Sequence, residues 1–443
     1  AKANAVMVSV NWRLAAPEVQ HIINDAEAEI LFVGEEYLAV AEKIRNDLKT
    51  VHKIVILGDR HGAWESFETW RDRQGAEDPL LAAQPQDTAI QFYTSGTTGL
   101  PKGAELTNAN FAWMFPLWTK SWLLAPGVPN LVCLPMFHIG GAGWGIAGLY
   151  SGAVNHVVRE FVPAQVLSLI QRERLQVALL VPAMILFLVQ APQVRETDLS
   201  SLRLIVYGAA PIPADLLKQA MNIFKCGFQQ VYGLTETTGA ITLLPPEDHD
   251  PADTEKLLSC GSAQTGVDLR IVGDDGNDLP AGKVGEIAVR SPQVMRGYWR
   301  LADATTRAIQ GDWFMTGDAG YLDDKGYLYI YDRVKDMIVS GGENIYPAEV
   351  ESALFGHPAV ADVAVIGVPD ERWGEAVKAV VVARAGAEIS AGELITWARE
   401  RIAGYKLPKS IDFVEALPRN PTGKLLKREL RLPYWGDKVR QVN

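Results

Sequence analysis

Cysteine is scarce in this chain, and so is any arrangement of it. Only Cys133, Cys226 and Cys260 occur, far apart and without a CxxC spacing. That argues against a disulfide framework or a zinc site and makes a reducing, cytoplasmic compartment the default. The seven histidines form no HxxxH-type ligand pair. Positive charge is also short, since 42 Lys and Arg against 53 Asp and Glu leave a formal net charge of -11. A nucleic-acid partner needs a basic surface, so that class is set aside. An anionic ligand would then have to be met by individual Lys and Arg residues against the global sign. Long hydrophobic runs are missing too. The longest candidate, 177–189, is interrupted by Pro182 and falls short of a membrane span. No internal repeat or low-complexity tract is visible.

What is present points to a soluble globular protein of more than one domain. Apolar residues make up 48% and charged residues 21%, and 443 residues exceed what one hydrophobic core usually serves. The chain starts at Ala1, and 6–10 reads as a strand with no preceding partner, so an N-terminally incomplete domain is expected. From about residue 88 to 231, apolar runs at 89–94, 131–135, 154–158, 177–181, 202–207 and 229–232 read as buried strands. Between them, 163–174 and 213–224 read as amphipathic helices with Pro near the first turn. This alternation predicts an α/β architecture with a largely parallel sheet and ligands beyond the strands' carboxyl ends. After Ser259 short strands at 269–272, 284–290 and 326–331 predict a β-rich subdomain. Beyond 333–336 a segment of roughly 110 residues has the size of a separate domain. It reads helix (348–355), strand (360–367), strand (376–383), helix (391–403), strand (410–414) and helix (425–430).

The densest feature is Tyr93-Thr94-Ser95-Gly96-Thr97-Thr98-Gly99-Leu100-Pro101-Lys102-Gly103. Its glycines let backbone N–H groups turn inward, four hydroxyls add donors, and Lys102 adds positive charge. By composition it is a phosphate cradle fed by a strand. It is not a Walker A loop, because Lys102 follows Pro101 and precedes Gly103. The bland alternative is a polar surface loop.

Further segments follow in order. Pro135-Met136-Phe137-His138-Ile139-Gly140-Gly141 sets one His among apolar neighbours, as a packed or rim residue would be. Val206-Tyr207-Gly208-Ala209-Ala210-Pro211 places small residues after a strand, allowing close approach of a flat ligand. In Tyr232-Gly233-Leu234-Thr235-Glu236-Thr237-Thr238-Gly239, a carboxylate past a strand end suits Mg²⁺. The alternative there is a helix N-cap at Thr235. Thr316-Gly317-Asp318 reads as an Asx-turn or a nucleoside grip. Asp332-Arg333-Val334-Lys335-Asp336 reads as a solvated linker, and Gly341-Gly342 would let a ligand pass close to the backbone. Trp373 reads as packing or contact. Pro418-Arg419-Asn420-Pro421-Thr422-Gly423-Lys424 reads as a stiffened, exposed loop.

Taken together, these segments resemble the adenylate-forming superfamily over nearly the whole chain. That superfamily includes acyl- and aryl-CoA synthetases, luciferases and the adenylation domains of peptide synthetases. The resemblance implies a large α/β domain over 1–334 and a small mobile α+β domain over 335–443, hinged at Lys335. It implies that ATP, Mg²⁺ and coenzyme A are used on a small carboxylic acid. Thr94, Ser95, Gly96, Thr97, Thr98, Gly99 and Lys102 match the phosphate signature. Glu236 matches the Mg²⁺ ligand, Thr235 an α-phosphate contact, and Tyr232 with Gly233 the strand end beside adenine. Gly208, Ala209 and Ala210 border adenine and the acyl group, Asp318 grips the ribose, and Arg333 contacts ribose and phosphate. His138 falls near the acyl pocket, whose walls are expected near 138–144, 181–185, 208–210 and 239–240. Gly341, Gly342 and Trp373 match the CoA path, and Lys424 matches the lysine that bridges the substrate carboxylate and the α-phosphate.

Such chemistry brings two anions together, so it rests on positioning and preorganised positive charge. Within the superfamily, Asn11-Trp12-Arg13-Leu14-Ala15-Ala16-Pro17-Glu18 and the run 340–346 most resemble bacterial medium- to long-chain fatty-acid CoA ligases. An aryl-CoA ligase is the close alternative, and a luciferase-type oxygenase stays open. A peptide-synthetase domain is disfavoured, because Phe137-His138-Ile139 lacks the Asp that holds an amino acid's ammonium. An inactive binding relative is disfavoured by Lys102, Glu236, Asp318 and Lys424. A homodimer and peripheral membrane contact stay open.

Overall fold

The structure, a computed structural model, describes every residue except 1–2, 60, 95–100, 274, 334–335, 341–342, 371, 420–424 and 436–443, and only the backbone of 331–333, 339 and 343–344. Its centre is a seven-stranded sheet in the order Ser262–Ala263, Gly239–Leu244, Gly227–Leu234, Leu204–Gly208, Val177–Leu180, Pro129–Val132 and Val154–Val157. The strands from Gly227–Leu234 to Val154–Val157 are mutually parallel; Gly239–Leu244 is antiparallel to Gly227–Leu234, and Ser262–Ala263 is antiparallel to Gly239–Leu244.

Both faces of this sheet are buried, which is why its strands read as continuous apolar runs rather than alternating ones. Ala178, Leu180, Ile205 and Tyr207 pack with helices Pro163–Glu173, Pro182–Gln190 and Ala214–Phe224. Val177, Leu179, Leu204 and Val206 pack with helices Asn108–Ser121 and Ile139–Ser151. The period of two along each strand sorts the side chains to opposite faces. Strand Pro129–Val132 lies between Val154–Val157 and Val177–Leu180. The chain steps outward and then crosses back over it, the kind of switch beyond whose carboxyl ends open α/β sheets generally bind ligands.

A four-stranded sheet follows the order Met7–Val8, Thr88–Thr94, Lys102–Thr107 and Gly297–Tyr298. The strand expected over 6–10 is only two residues long, and its partner comes later in the chain: Met7 and Val8 pair in parallel with Ile90 and Gln91. Strands Ile30–Gly34, Lys53–Leu57 and Glu65–Ser66 form a further parallel sheet that the sequence reading did not foresee. The β-rich part is antiparallel: Asp268–Val272, Gly285–Arg290, Trp313–Leu322 and Ile309–Gln310, with Leu328–Arg333 also on Trp313–Leu322.

The C-terminal segment has its own core, in which Val350, Leu354, Val365, Val377 and Leu394 are buried together. The long hairpin Val360–Asp370 with Gly374–Ala383 is flanked by helices Pro347–Phe355 and Ala391–Arg399, as expected of a small α+β unit. The last helix is Lys427–Trp435 rather than 425–430, because Leu425 bridges in antiparallel fashion to Arg419. The whole is a mixed α/β protein with a large N-terminal part and a smaller C-terminal one, as the sequence predicts.

Candidate active site

The glycine- and hydroxyl-rich loop is the connection of a hairpin. Strands Thr88–Thr94 and Lys102–Thr107 are antiparallel, with Thr94 directly opposite Lys102. The described ends of the loop are therefore pinned together. Strand Gly297–Tyr298 pairs with the outer side of Lys102–Thr107, which brings Tyr298 next to Ala104. The Lys102 ammonium stands 5.1 Å from the centre of the Tyr298 ring, within cation–π reach.

Glu236 meets this group from the large sheet. Its Oε1 accepts hydrogen bonds from the Thr94 hydroxyl at 3.3 Å and the Tyr298 hydroxyl at 3.0 Å. Among the described residues, both side-chain donors land on that one oxygen. Glu236 lies in the turn between Gly227–Leu234 and Gly239–Leu244, an antiparallel pair. This corrects the helix N-cap alternative for Thr235, since no helix follows. Backbone bonds and buried side chains lock the turn. Thr238 N–H donates to Thr235 O at 2.9 Å, and Met295 N–H to Glu236 O at 2.7 Å. The Thr237 hydroxyl donates to Gly239 O at 2.7 Å. Gln293 is buried, and its amide donates to the carbonyls of Thr237 (2.9 Å) and Ala240 (2.7 Å). The Thr238 hydroxyl returns a bond to Gln293 O at 2.6 Å.

Four residues before Glu236, Tyr232 donates its hydroxyl to Asp318 Oδ2 at 2.8 Å. Burial, and then the charge of Asp318, raise the Tyr232 phenol well above its usual range, so it stays a donor. Asp318 is not in an Asx-turn but within strand Trp313–Leu322. Gly317 before it takes a positive φ of 71° and donates its N–H to Glu286 at 2.9 Å. The backbone register sets Arg333 directly opposite Asp318. A carboxylate has roughly four acceptor positions, so the Tyr232 bond leaves capacity for further donors.

The carboxyl end of Leu204–Gly208 contributes small residues. A Cβ on Gly208 would overlap the carbonyl oxygen of Val231, and one on Gly233 that of Gly239. Ala209 takes a positive φ of 67°, a strained backbone of the kind found at ligand-holding turns; Ala210 follows it. Tyr207 points the other way, into the core. Its hydroxyl lies 3.0 Å from His249 Nε2, and His249 Nδ1 lies 2.9 Å from Pro245 O. Tyr207 therefore serves packing.

His138 precedes helix Ile139–Ser151, and its ring lies 4.6 Å from that of Phe137 at a tilt of 58°. Burial first, and the charge of Arg13 second, push its imidazole down to about 4. It is neutral near pH 7, and its buried Nε2 has no partner among the described residues. Trp373, in the C-terminal part, is 40% exposed with the Arg372 guanidinium 4.7 Å over its ring; it is not a core residue. Ser95, Gly96, Thr97, Thr98, Gly99, Lys335, Gly341, Gly342 and Lys424 lie outside the described residues, as does the side chain of Arg333.

The fold thus brings Thr94, Lys102 and Glu236 to one point and Tyr232, Asp318 and the Arg333 backbone to another. Sequence reasoning missed Tyr298 and Gln293. The aromatic pair after Gly297 was a faint signal for the first, and nothing local marked the second. Among the described residues no group of three His, Cys, Asp or Glu side chains could hold a metal. Glu236 alone fits a Mg²⁺ that takes its other ligands from phosphate and water.

Comparison with known proteins adds independent findings. Residues 1–299 match the model of the AMP-binding enzyme family, and residues 349–424 that of the AMP-binding enzyme C-terminal domain. The chain is 41% identical to a fatty acid–acyl-carrier-protein ligase of Streptomyces coeruleorubidus, over 100% of this chain and 85% of that protein. It is 39% identical to a feruloyl-CoA synthase of Amycolatopsis sp, over 97% of this chain and 84% of that protein. The crystal structure of ATP-bound MatB from Rhodopseudomonas palustris superposes with a TM-score of 0.89 at 31% identity, covering 99% of this chain and 85% of that one.

Proposed function

We propose, from the premise that this chain belongs to the AMP-binding enzyme family, how its residues divide the work of an AMP-forming acid–thiol ligase. The protein is an acyl-CoA synthetase that uses ATP, Mg²⁺ and coenzyme A. It converts a carboxylic acid to the acyl-adenylate with release of pyrophosphate, then to the acyl-CoA with release of AMP. Its acid is hydrophobic, with a fatty acid as the first reading and an aryl acid as the second; relatives are named for both.

The observation that carries the reading is the meeting at Glu236. Thr94 of the phosphate loop and Tyr298 both donate to it, and Lys102 lies on the Tyr298 ring. An acid and a cation far apart in sequence thus converge where a triphosphate would lie. In the first step a carboxylate oxygen attacks the α-phosphorus, and the bond to pyrophosphate breaks. Loop 94–103, including Ser95, Gly96, Thr97, Thr98 and Gly99, holds the β- and γ-phosphates with Lys102. Thr235 would reach the α-phosphate, and Glu236 would hold Mg²⁺. Bound Mg²⁺ offsets the phosphate charge that would repel the substrate carboxylate. Tyr232, Gly208, Ala209 and Ala210 line the adenine, and Asp318 with Arg333 holds the ribose. His138 stands at the mouth of the acyl pocket as a neutral wall, and Lys424 bridges carboxylate and α-phosphate.

In the second step the thiol sulfur attacks the acyl carbon, the bond to AMP breaks, and the thiol proton leaves. A free thiol has a pKa of roughly 8.5, so a thiolate fraction exists without a dedicated base. Lys424 would obstruct the thiol's path. Domains 1–334 and 335–443 therefore turn about Lys335 between steps, replacing Lys424 with Gly341, Gly342 and Trp373 along the pantetheine. A cytoplasmic homodimer touching a membrane only peripherally belongs to the same proposal. It is supported by exposed apolar side chains at one sheet edge, Val154 and Val157 on the edge strand and Leu149 and Tyr150 on the helix before it. Sedimentation with and without lipid vesicles tests it. The chemistry is tested by acid-dependent exchange of labelled pyrophosphate into ATP. Exchange with at least one hydrophobic acid is expected, and none across a broad panel would refute the reading.

A further inference from the structure

The relatives do not fix the length of the acid, but the packing beside Glu236 does bear on it. Trp118 lies on helix Asn108–Ser121 and is 2% exposed. The six-membered ring of its indole is wedged between two glycines. A Cβ on Gly239 would stand only 2.6 Å from Trp118 Cζ2, and one on Gly143 would stand 3.3 Å from Trp118 Cζ3. Gly239 is three residues past Glu236, on the hairpin that holds it. Gly143 is on helix Ile139–Ser151, which starts at His138. These are the two walls between which an acyl group bound at the α-phosphate would extend, and Trp118 closes the space between them.

More aromatic rings stand behind it. The Trp122 ring lies 4.2 Å from that of Trp118, and the Trp144 ring lies 5.0 Å from that of Trp122. Trp144 donates its indole N–H to Leu131 O at 2.9 Å. By contrast, the buried indole N–H groups of Trp118 and Trp122 have no partner among the described residues. An indole buried purely for packing usually finds an acceptor. Two unpaired ones in contact suit a face kept for a ligand. The sheet side offers no bypass, since Val206 is fully buried and Gly208 abuts the Val231 carbonyl.

We infer that Trp118 is the floor of the acyl pocket and limits the acid to a planar aromatic or a short- to medium-chain one, against long chains. This rests on the ligase reading above. Aromatic acids meet the indole by edge or face contact, whereas a long chain meets a packed wall that must move.

The test is kcat/KM for AMP formation with CoA, using benzoate, 4-coumarate, octanoate and palmitate, on the full chain and on Trp118→Ala and Trp118→Leu. The unmodified protein is expected to favour its best aromatic or medium-chain acid over palmitate by roughly 100-fold, the upper range of discrimination by pocket size. Trp118→Ala is expected to shrink that ratio by about 10-fold or more, through a lower KM for palmitate. Trp118→Leu gives the same direction if the alanine variant does not fold. Palmitate used as well as octanoate by the unmodified protein overturns the floor assignment, whatever the variants do. So does a ratio that neither variant changes. If no acid supports AMP formation, the ligase reading falls and the inference falls with it, a result distinguishable from activity without length selection.

Discussion

Replacing Tyr298 by Phe removes one hydroxyl and leaves the ring. In the structure that hydroxyl donates to Glu236 Oε1 at 3.0 Å, alongside the weaker 3.3 Å bond from Thr94. Both bonds hold Oε1 and so orient the carboxylate that would hold Mg²⁺. A hydrogen bond to a charged group is worth about 1.5–3 kcal/mol. At a half-buried carboxylate that keeps a second donor, about 1–1.5 kcal/mol is a fair expectation, or roughly tenfold in affinity. The Phe ring preserves the cation–π contact with Lys102, so the loss reports the hydroxyl alone. The apparent KM for Mg²⁺ in pyrophosphate exchange should rise about tenfold with a smaller change in kcat. Binding of Mn²⁺ in the presence of ATP, followed by electron paramagnetic resonance, should weaken by a similar factor. Tyr298→Leu, which removes the ring as well, should in addition weaken ATP binding. If Tyr298→Phe leaves both the Mg²⁺ dependence and the Mn²⁺ affinity unchanged while folding normally, Tyr298 does not orient Glu236 and the argument fails.

Other perturbations separate the remaining parts of the site. Lys424→Ala should slow adenylate formation by roughly 100- to 1000-fold yet spare thioester formation from presupplied acyl-adenylate; equal loss of both steps in single-turnover assays would contradict the division of roles. Gln293→Leu removes the side-chain donor to the Thr237 carbonyl in a buried turn, while the Ala240 carbonyl keeps its bond from the Gln264 amide, at a cost of about 1–3 kcal/mol. Its thermal midpoint should fall by a few degrees and its Mg²⁺ dependence should weaken, and an unchanged midpoint would show that the clamp is dispensable. His138 is pushed down to about 4 in the folded chain, against roughly 6.5 when unfolded. The unfolded chain therefore binds the extra proton, and stability falls as pH drops from about 6.5 toward 4, by up to about 3 kcal/mol. His249 is lowered in the same direction, so the measurement is the difference between the unmodified protein and His138→Gln in urea unfolding from pH 7 to 4.5. Identical pH slopes would refute a buried neutral His138.

The local pattern determined a good deal of this protein. Apolar runs and Pro-led helices defined the parallel sheet because a strand buried on both faces leaves a continuous hydrophobic signature. The loop around Lys102, the Thr235-Glu236 segment and Asp318 stood out because the residue types that a phosphate or nucleoside grip would need lie close together there in the chain. Their local conformation was less so. Thr235 could equally have begun a helix, and only the return of Gly239–Leu244 against Gly227–Leu234 makes its segment a hairpin turn. Residues whose roles depend on distant partners left almost no local trace. Tyr298 meets Glu236 across 62 positions, Gln293 meets Thr237 across 56, and Trp118 fills a gap between two glycines that belong to different elements. The sequence by itself determined which chemistry is present, since that is carried by residue types at short spacing. Tertiary structure alone decided which oxygen of Glu236 is held and that Trp118 packs between Gly143 and Gly239, since both depend on side chains that packing brings together from distant parts of the chain.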